Sequence, residues 1–341
     1  MYDFYNNQLE IIYRMNTKYL LSPLFLAFAA MFIVSSCAKD VAESSDSIEK
    51  KVLEAHIKVV YNDTIAPLST GVYVITNKKG TGREIKEGSS FFVRYSTLDL
   101  KNNYITTSRD DIAKQVGGFS YANYYGPVLF EMSNYTLIRG LEEAFGTLRE
   151  GSIVRIILPS WASDFGYKNS DRYHATTTVY DVEIVKVIDD YPQYELDTLQ
   201  RFSNLYYDGI DSLFRGYYYY SLKEGTGDSL KVGTTVKYNY VGKLLNGFVF
   251  DTNIEDTARK YKIYSSDDVS KYNPLSLELH EVGQVGSSGS SVVDGFAQTL
   301  LLMKKGGKAV TFFSSGWGYG ENAQSTGKKQ QMMFYIEVLE D

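Results

Sequence analysis

Four blocks of residues occur twice in this chain, in the same order. The longest pair, GVYVITNKKGTGREIKEGSSFFVRY from Gly71 and GYYYYSLKEGTGDSLKVGTTVKYNY from Gly216, aligns without a gap, and nine residue types coincide. PVLFEM from Pro127 corresponds to PLSLEL from Pro274, LIRGLEEAFGTLREG from Leu137 to VVDGFAQTLLLMKKG from Val292, and TVYDVEIV from Thr178 to MMFYIEVL from Met332. A shared order of four blocks marks a duplicated domain. The chain's 341 residues are enough for about two domains of ordinary size.

Within each repeat the patterning predicts an α+β architecture. Phe91, Val93 and Tyr95, like Val236, Tyr238 and Tyr240, fall at alternate positions and read as strands with one buried face. Leu141 to Leu148 and Phe296 to Met303 carry apolar residues three and four apart, so each repeat gains one short amphipathic helix to pack on its sheet. The 30 tyrosines suit half-buried pleated surfaces. Further helices are expected before each core, over Ser47 to Val60 and Leu196 to Phe214. The second doubles as a connector, because Asp189, Asp190 and Pro192 end the preceding strand.

One cysteine, Cys37, excludes an intrachain disulfide and a cysteine-rich zinc site. Its position is informative. Met15 opens MNTKYLLSPLFLAFAAMFIVSSC, with Lys18 as the positive region and Tyr19 to Val34 as an apolar stretch that ends in small residues before Cys37. This resembles a bacterial lipoprotein signal, in which the cysteine is lipidated. A transmembrane anchor is the alternative, but the stretch is shorter than the ~20 apolar residues that usually span a bilayer. The polar run AKDVAESSDS then suits a tether. Its acidic residues, Asp40 and Glu43, make a weak version of the surface-export signal of Bacteroidota lipoproteins, so periplasmic and surface placements both stay open. The resulting divisions are 1–36 leader and signal, 37–65 tether and helix, 66–190 first domain, 191–215 helical linker and 216–341 second domain.

A formal net charge of -6 leaves no basic field for a nucleic acid. His56, His174 and His280 lie far apart in no metal-ligand spacing, so no metal is expected. No GxSxG elbow, P-loop or dinucleotide fingerprint appears, and no cofactor is implied.

The blocks resemble the FKBP-type prolyl isomerases over most of both repeats. The second repeat carries the specific residues: Tyr240 and Gly242, Gly247, Phe250 and Asp251, VVDGF at Val292 to Phe296, MKKGGKA at Met303 to Ala309, and WGYG at Trp317 to Gly320. The resemblance implies two tandem FKBP-like domains, each a curved antiparallel sheet packed on one short helix, with a proline pocket between. Tyr240, Phe250 and Phe334 would form aromatic walls and Phe296 the floor, where the family usually has Trp. Val293 N–H and the Tyr319 hydroxyl would serve as donors. Asp251 would orient groups at the rim, Leu275 would stand where an aromatic is common, and Trp317 would join the substrate-binding set.

The same aromatics could equally be core, since rings on sheet and helix faces more often pack than bind. Asp251 argues for a site, because a carboxylate beside a buried Phe must be paired or solvated. The first repeat has Thr97, Ile105 and Thr106 in place of Gly242, Phe250 and Asp251, so a degenerate pocket is expected there. Two stretches, Thr252 to Asn273 and His280 to Ser291, read as insertions beside the second pocket, either as a lid or as tolerated surface loops. The expected function is peptidyl-prolyl isomerisation of proline-containing exported polypeptides in a bacterial envelope. The alternative is a non-catalytic FKBP-like peptide-binding or assembly lipoprotein.

Overall fold

The computed structural model describes residues 44–133, 135–167, 171–282, 292–322 and 324–340. The signal, Cys37 and the whole run GQVGSSGSS, residues 283–291, lie outside them. Among the described residues no helix is long and apolar enough to cross a membrane.

The first repeat runs through α1 (Ser45–Tyr61), β1 (Tyr73–Lys78), β2 (Ser90–Leu98), β3 (Tyr104–Thr107), α2 (Asp110–Gln115), β4 (Val128–Glu131), α3 (Arg139–Phe145), β5 (Ile153–Leu158) and β6 (Thr178–Ile188). The second runs through α4 (Tyr191–Tyr206), β7 (Tyr217–Lys223), β8 (Thr235–Leu244), β9 (Val249–Thr252), α5 (Glu255–Lys260), β10 (Leu275–Glu278), α6 (Asp294–Leu301), β11 (Lys308–Phe313) and β12 (Met332–Val338). Each repeat folds into a six-stranded antiparallel sheet. The orders are β1-β5-β6-β2-β3 with β4 also on β2, and β7-β11-β12-β8-β10 with β9 also on β8. Strand for strand the two topologies coincide, as the repeated blocks require. Both sheets lie within one compact unit, Lys51–Asp341.

Alternation sends one face of each sheet to a helix. In the first, Leu141, Ala144 and Phe145 of α3 pack with Phe91, Val93, Ile156 and Val182; in the second, Phe296 and Leu300 of α6 pack with Tyr238, Phe313, Phe334 and Ile336. α6 comes very close to β11, since a Cβ on Gly295 would lie 2.4 Å from the Phe313 ring. The opposite faces are covered too. Leu53 and Ile57 of α1 pack on Ile157 and Val179, and Leu199 and Phe202 of α4 pack on Tyr218, Val310 and Phe312. Removing a buried ring of this kind typically costs about 3–5 kcal/mol.

Three sequence expectations need correction. The connector helix begins at Tyr191, not Leu196, and ends at Tyr206, not Phe214. Pro192 sits in its first turn, where a missing N–H costs nothing, and the Asp190 side chain accepts from Gln193 N at 3.0 Å to cap it. The core helices begin and end two residues or more earlier than their apolar spacing suggested. Residues Thr252 to Asn273 contain α5 and a short 3-10 turn at Val269–Tyr272, and α2 stands at the matching place in the first repeat. Part of that stretch is therefore common to both repeats.

Candidate active site

The site is assembled from β8, β9, β12 and α6. Alternation on β8 puts Tyr238 and Tyr240 on the face that meets α6, which contributes Phe296, while β12 contributes Phe334. Phe296 and Phe334 meet edge to face at 5.2 Å between ring centroids, Tyr240 and Phe296 at 5.8 Å, and Phe250 and Phe334 at 5.7 Å. Such edge-to-face geometry is favoured by the ring quadrupoles. Phe296 and Phe334 are buried, whereas Tyr240 and Phe250 are half-buried, so the cluster has a buried floor and two partly exposed rings. Tyr238, 5.3 Å from Phe296, and Phe313, stacked on Phe334, complete the floor; neither was singled out as a site residue from sequence.

Gly242 makes room for the Phe250 wall. β8 and β9 pair Gly242 with Asp251, and a Cβ at Gly242 would lie 2.7 Å from the Phe250 ring and 3.0 Å from Phe334. The first repeat pairs Thr97 with Thr106 in the same register. There the Thr97 side chain is buried, with its Oγ1 lacking a hydrogen-bond partner, while Ile105 is 64% exposed. Threonine fills the volume that the glycine leaves free, and the wall residue turns to solvent. Tyr180 takes the place of Phe334 and is hydrogen-bonded to His174 Nε2 at 2.6 Å. Burial holds that imidazole below its usual range.

Asp251 is engaged on both oxygens. The Tyr240 hydroxyl donates to Oδ2, and Lys271 Nζ lies 2.8 Å from Oδ1. Lys271 comes from the 3-10 turn of the stretch read as an insertion. Asn253 ties that segment to β8: its Oδ1 accepts from Tyr240 N at 2.8 Å, and its Nδ2 donates to the Asn273 carbonyl at 3.0 Å. Lys271 and Asn253 were not foreseen, because neither belongs to a recurring block. Burial, reinforced by the Asp251 charge, pushes the Tyr240 hydroxyl well above the usual phenol range and raises Tyr319 as well. Both phenols therefore remain protonated donors at neutral pH.

Tyr319 is 41% exposed, and its hydroxyl has no hydrogen-bond partner among the described residues. Val293 is the N-cap of α6, with extended φ and ψ of -71° and 155°, so its N–H stands outside the helical ladder. Leu275 is half-buried at the start of β10, opposite Tyr238. Trp317 packs against the same core as Tyr240 and Phe250, at its Tyr217 side. Its ring packs against Phe214 and Tyr217, at 5.8 and 5.1 Å, and its Nε1 donates to the Arg215 carbonyl at 3.1 Å. These contacts tie it to the segment before β7. A separate polar groove of about 850 Å³, lined by residues including Arg83, Glu150, Asp189 and Gln193, has Tyr194 as its only aromatic and offers no apolar cradle for a proline ring.

The family model described as FKBP-type peptidyl-prolyl cis-trans isomerase matches residues 227–339. A curated relative, the probable FKBP-type peptidyl-prolyl cis-trans isomerase of Haemophilus influenzae, is 31% identical over 118 residues, which are 34% of this chain and 39% of the relative. The chain thus spans well under half the length of that relative. Similar solved structures include FkpA from Escherichia coli, with 19% identity over 53% of this chain and 81% of that one, at a TM-score of 0.31. The three FKBP domains of wheat FKBP73 give 17% identity over 80% of this chain and 94% of that one, at a TM-score of 0.28. Residues 227–339, which hold Tyr240, Phe250, Asp251, Phe296, Tyr319 and Phe334, are therefore a domain of the FKBP-type peptidyl-prolyl cis-trans isomerase family, in a chain that builds the same sheet topology twice.

Proposed function

We propose that this chain is an envelope peptidyl-prolyl cis-trans isomerase acting on proline-containing exported polypeptides, with residues 216–341 as its catalytic domain and residues 66–190 as a non-catalytic partner. The clustering of half-buried Tyr240 and Phe250 with buried Phe296 and Phe334, near Tyr319, whose hydroxyl has no hydrogen-bond partner among the described residues, carries this reading. Rotation about X–Pro must overcome amide resonance, a barrier of roughly 18–20 kcal/mol. No nucleophile is needed. An apolar cradle disfavours the charge-separated planar amide, and donors placed for the twisted form bind it better than either planar isomer. Tyr319 and the Val293 N–H are donors of the right kind. Asp251 holds the Tyr240 ring in place through its hydroxyl.

The non-catalytic reading of the first repeat is supported by Thr97, which fills the pocket volume, and by Ile105, which faces solvent. Rebuilding the second pocket in its image tests both halves of the proposal. In the full chain, Gly242→Thr with Phe250→Ile and Asp251→Thr should abolish acceleration of X–Pro isomerisation. Substantial residual activity in the folded triple variant would assign catalysis to the first repeat. The envelope placement is supported by the apolar stretch before Cys37. Palmitate labelling in a bacterial host should be strong for the wild type and absent in Cys37→Ser, and equal labelling would overturn the anchor.

A further inference from the structure

The segment between β11 and β12 carries Tyr319, and it is held at both ends by groups outside its own sheet. At its start, the buried Glu195 carboxylate of α4 accepts from Ser315 N at 2.9 Å and from Ser315 Oγ at 3.0 Å. At its end, Gln331 Nε2 donates to the Glu195 carbonyl at 2.8 Å, and the Tyr191 hydroxyl donates to the Lys329 carbonyl at 2.9 Å. Between these points, Lys329 N donates to the carbonyl of Gly320, the residue after Tyr319, at 2.8 Å.

Among the described residues, the first sheet forms ion pairs with the same segment through Glu131. Glu131, the last residue of β4, receives Lys329 Nζ at 2.5 Å on one oxygen and Lys328 Nζ on the other. Lys329 Nζ also pairs with Glu321 at 2.6 Å. Consecutive lysines converge on one carboxylate, and Lys329 accepts a left-handed φ of 50° where they do so, a conformation uncommon for a residue with a side chain. The side chains of Glu131, Lys328 and Lys329 are 19, 26 and 18% exposed, so these pairs are screened less than surface ion pairs. Burial alone would raise the Glu131 carboxyl, but the two lysines bring it below its ordinary value.

We propose that the first sheet serves as an intramolecular clamp on the loop bearing Tyr319, with Glu131 as a positioning residue for the second pocket. The duplicated domain then has a role that needs no pocket of its own. It fixes the backbone next to Tyr319, so that its hydroxyl is aimed before substrate arrives and little ordering remains to be done in the transition state. This inference rests on the isomerase reading of the second pocket.

The test uses the full chain with Glu131→Gln, which keeps the side chain's shape and removes its charge. Three results are expected: kcat/KM for a proline peptide falls about tenfold, amide exchange in peptides from residues 315–331 becomes faster, and Glu131→Gln adds nothing in a Tyr319→Phe background. Lys328→Met with Lys329→Met should reproduce all three from the other side, and serves if Glu131→Gln does not fold. A purely structural role for Glu131 predicts additive losses in the double variant, which would overturn the clamp. So would wild-type rates and unchanged loop exchange in Glu131→Gln while Tyr319→Phe alone is slow. If the wild-type chain catalyses nothing, the isomerase reading fails, and with it the positioning role of the clamp.

Discussion

The Tyr240 hydroxyl donates to Asp251 Oδ2 while Lys271 Nζ pairs with Oδ1 at 2.8 Å, so one carboxylate joins a pocket wall to the segment between β9 and β10. Both oxygens are thus engaged, one by the wall residue Tyr240 and one by Lys271. Asp251→Ala leaves the Tyr240 hydroxyl without this acceptor, at a cost of about 1–3 kcal/mol if no water replaces it. The expected outcome is a drop of about tenfold in kcat/KM, with a smaller drop in Lys271→Met, which removes only the outer partner. Wild-type rates in Asp251→Ala would show that the Tyr240 ring needs no such tether.

Gly242 separates catalysis from stability. The atoms that its Cβ would meet first belong to the tip of the Phe250 ring, which is half-buried and can swing outward. Gly242→Ala should therefore lower the thermal midpoint only modestly, by the equivalent of about 1–3 kcal/mol, yet lose most of the isomerase activity because one wall has moved. Comparable activity in a folded Gly242→Ala chain would mean that Phe250 is dispensable.

The first repeat has an acid-sensitive anchor. Glu143 of α3 accepts from Ser69 N and Oγ at 2.8 and 2.6 Å and from Thr70 N and Oγ1 at 2.9 and 2.6 Å. Burial alone would raise this carboxyl, but the four hydrogen bonds outweigh it and bring it from an ordinary 4.5 down to about 2. The unfolded chain then binds the proton more tightly, so this stabilisation is complete above the unfolded value and is lost as pH falls from there through about 2. The difference in thermal midpoint between wild type and Glu143→Gln should be largest at neutral pH and shrink across that window. A pH-independent difference would contradict the assignment.

Much of the fold was legible because duplication supplies an internal comparison. The repeated blocks became equivalent strands, and just beyond the longest of them the pairs Thr97 with Thr106 and Gly242 with Asp251 take the same register. That the rings of Tyr240, Phe250, Phe296 and Phe334 come together was legible from the family resemblance. What stayed hidden lies outside the blocks. Helices of six residues such as α2 and α5 are too short to show a periodicity. Pro192 read as a stop, yet it also suits a first helical turn, and only the Asp190 cap decides between the two. The resemblance put Trp317 in the substrate-binding set, and its indole N–H donates to the Arg215 carbonyl, a partner about a hundred positions away along the chain that no local pattern announces. Lys271 reaches Asp251 from a stretch with no counterpart in the aligned blocks.

If the second pocket twists X–Pro bonds with Tyr319 as a donor, the chain accelerates the refolding of a proline-limited protein. The uncatalysed phase takes tens of seconds or longer, which leaves a wide window for acceleration. The wild-type chain should shorten that phase in proportion to its concentration. Tyr319→Phe should be about tenfold or more weaker at an unchanged thermal midpoint, since it removes one half-exposed hydroxyl and almost no packing. A folded wild-type chain that leaves the slow phase untouched at high concentration, or a Tyr319→Phe chain as active as wild type, would contradict it.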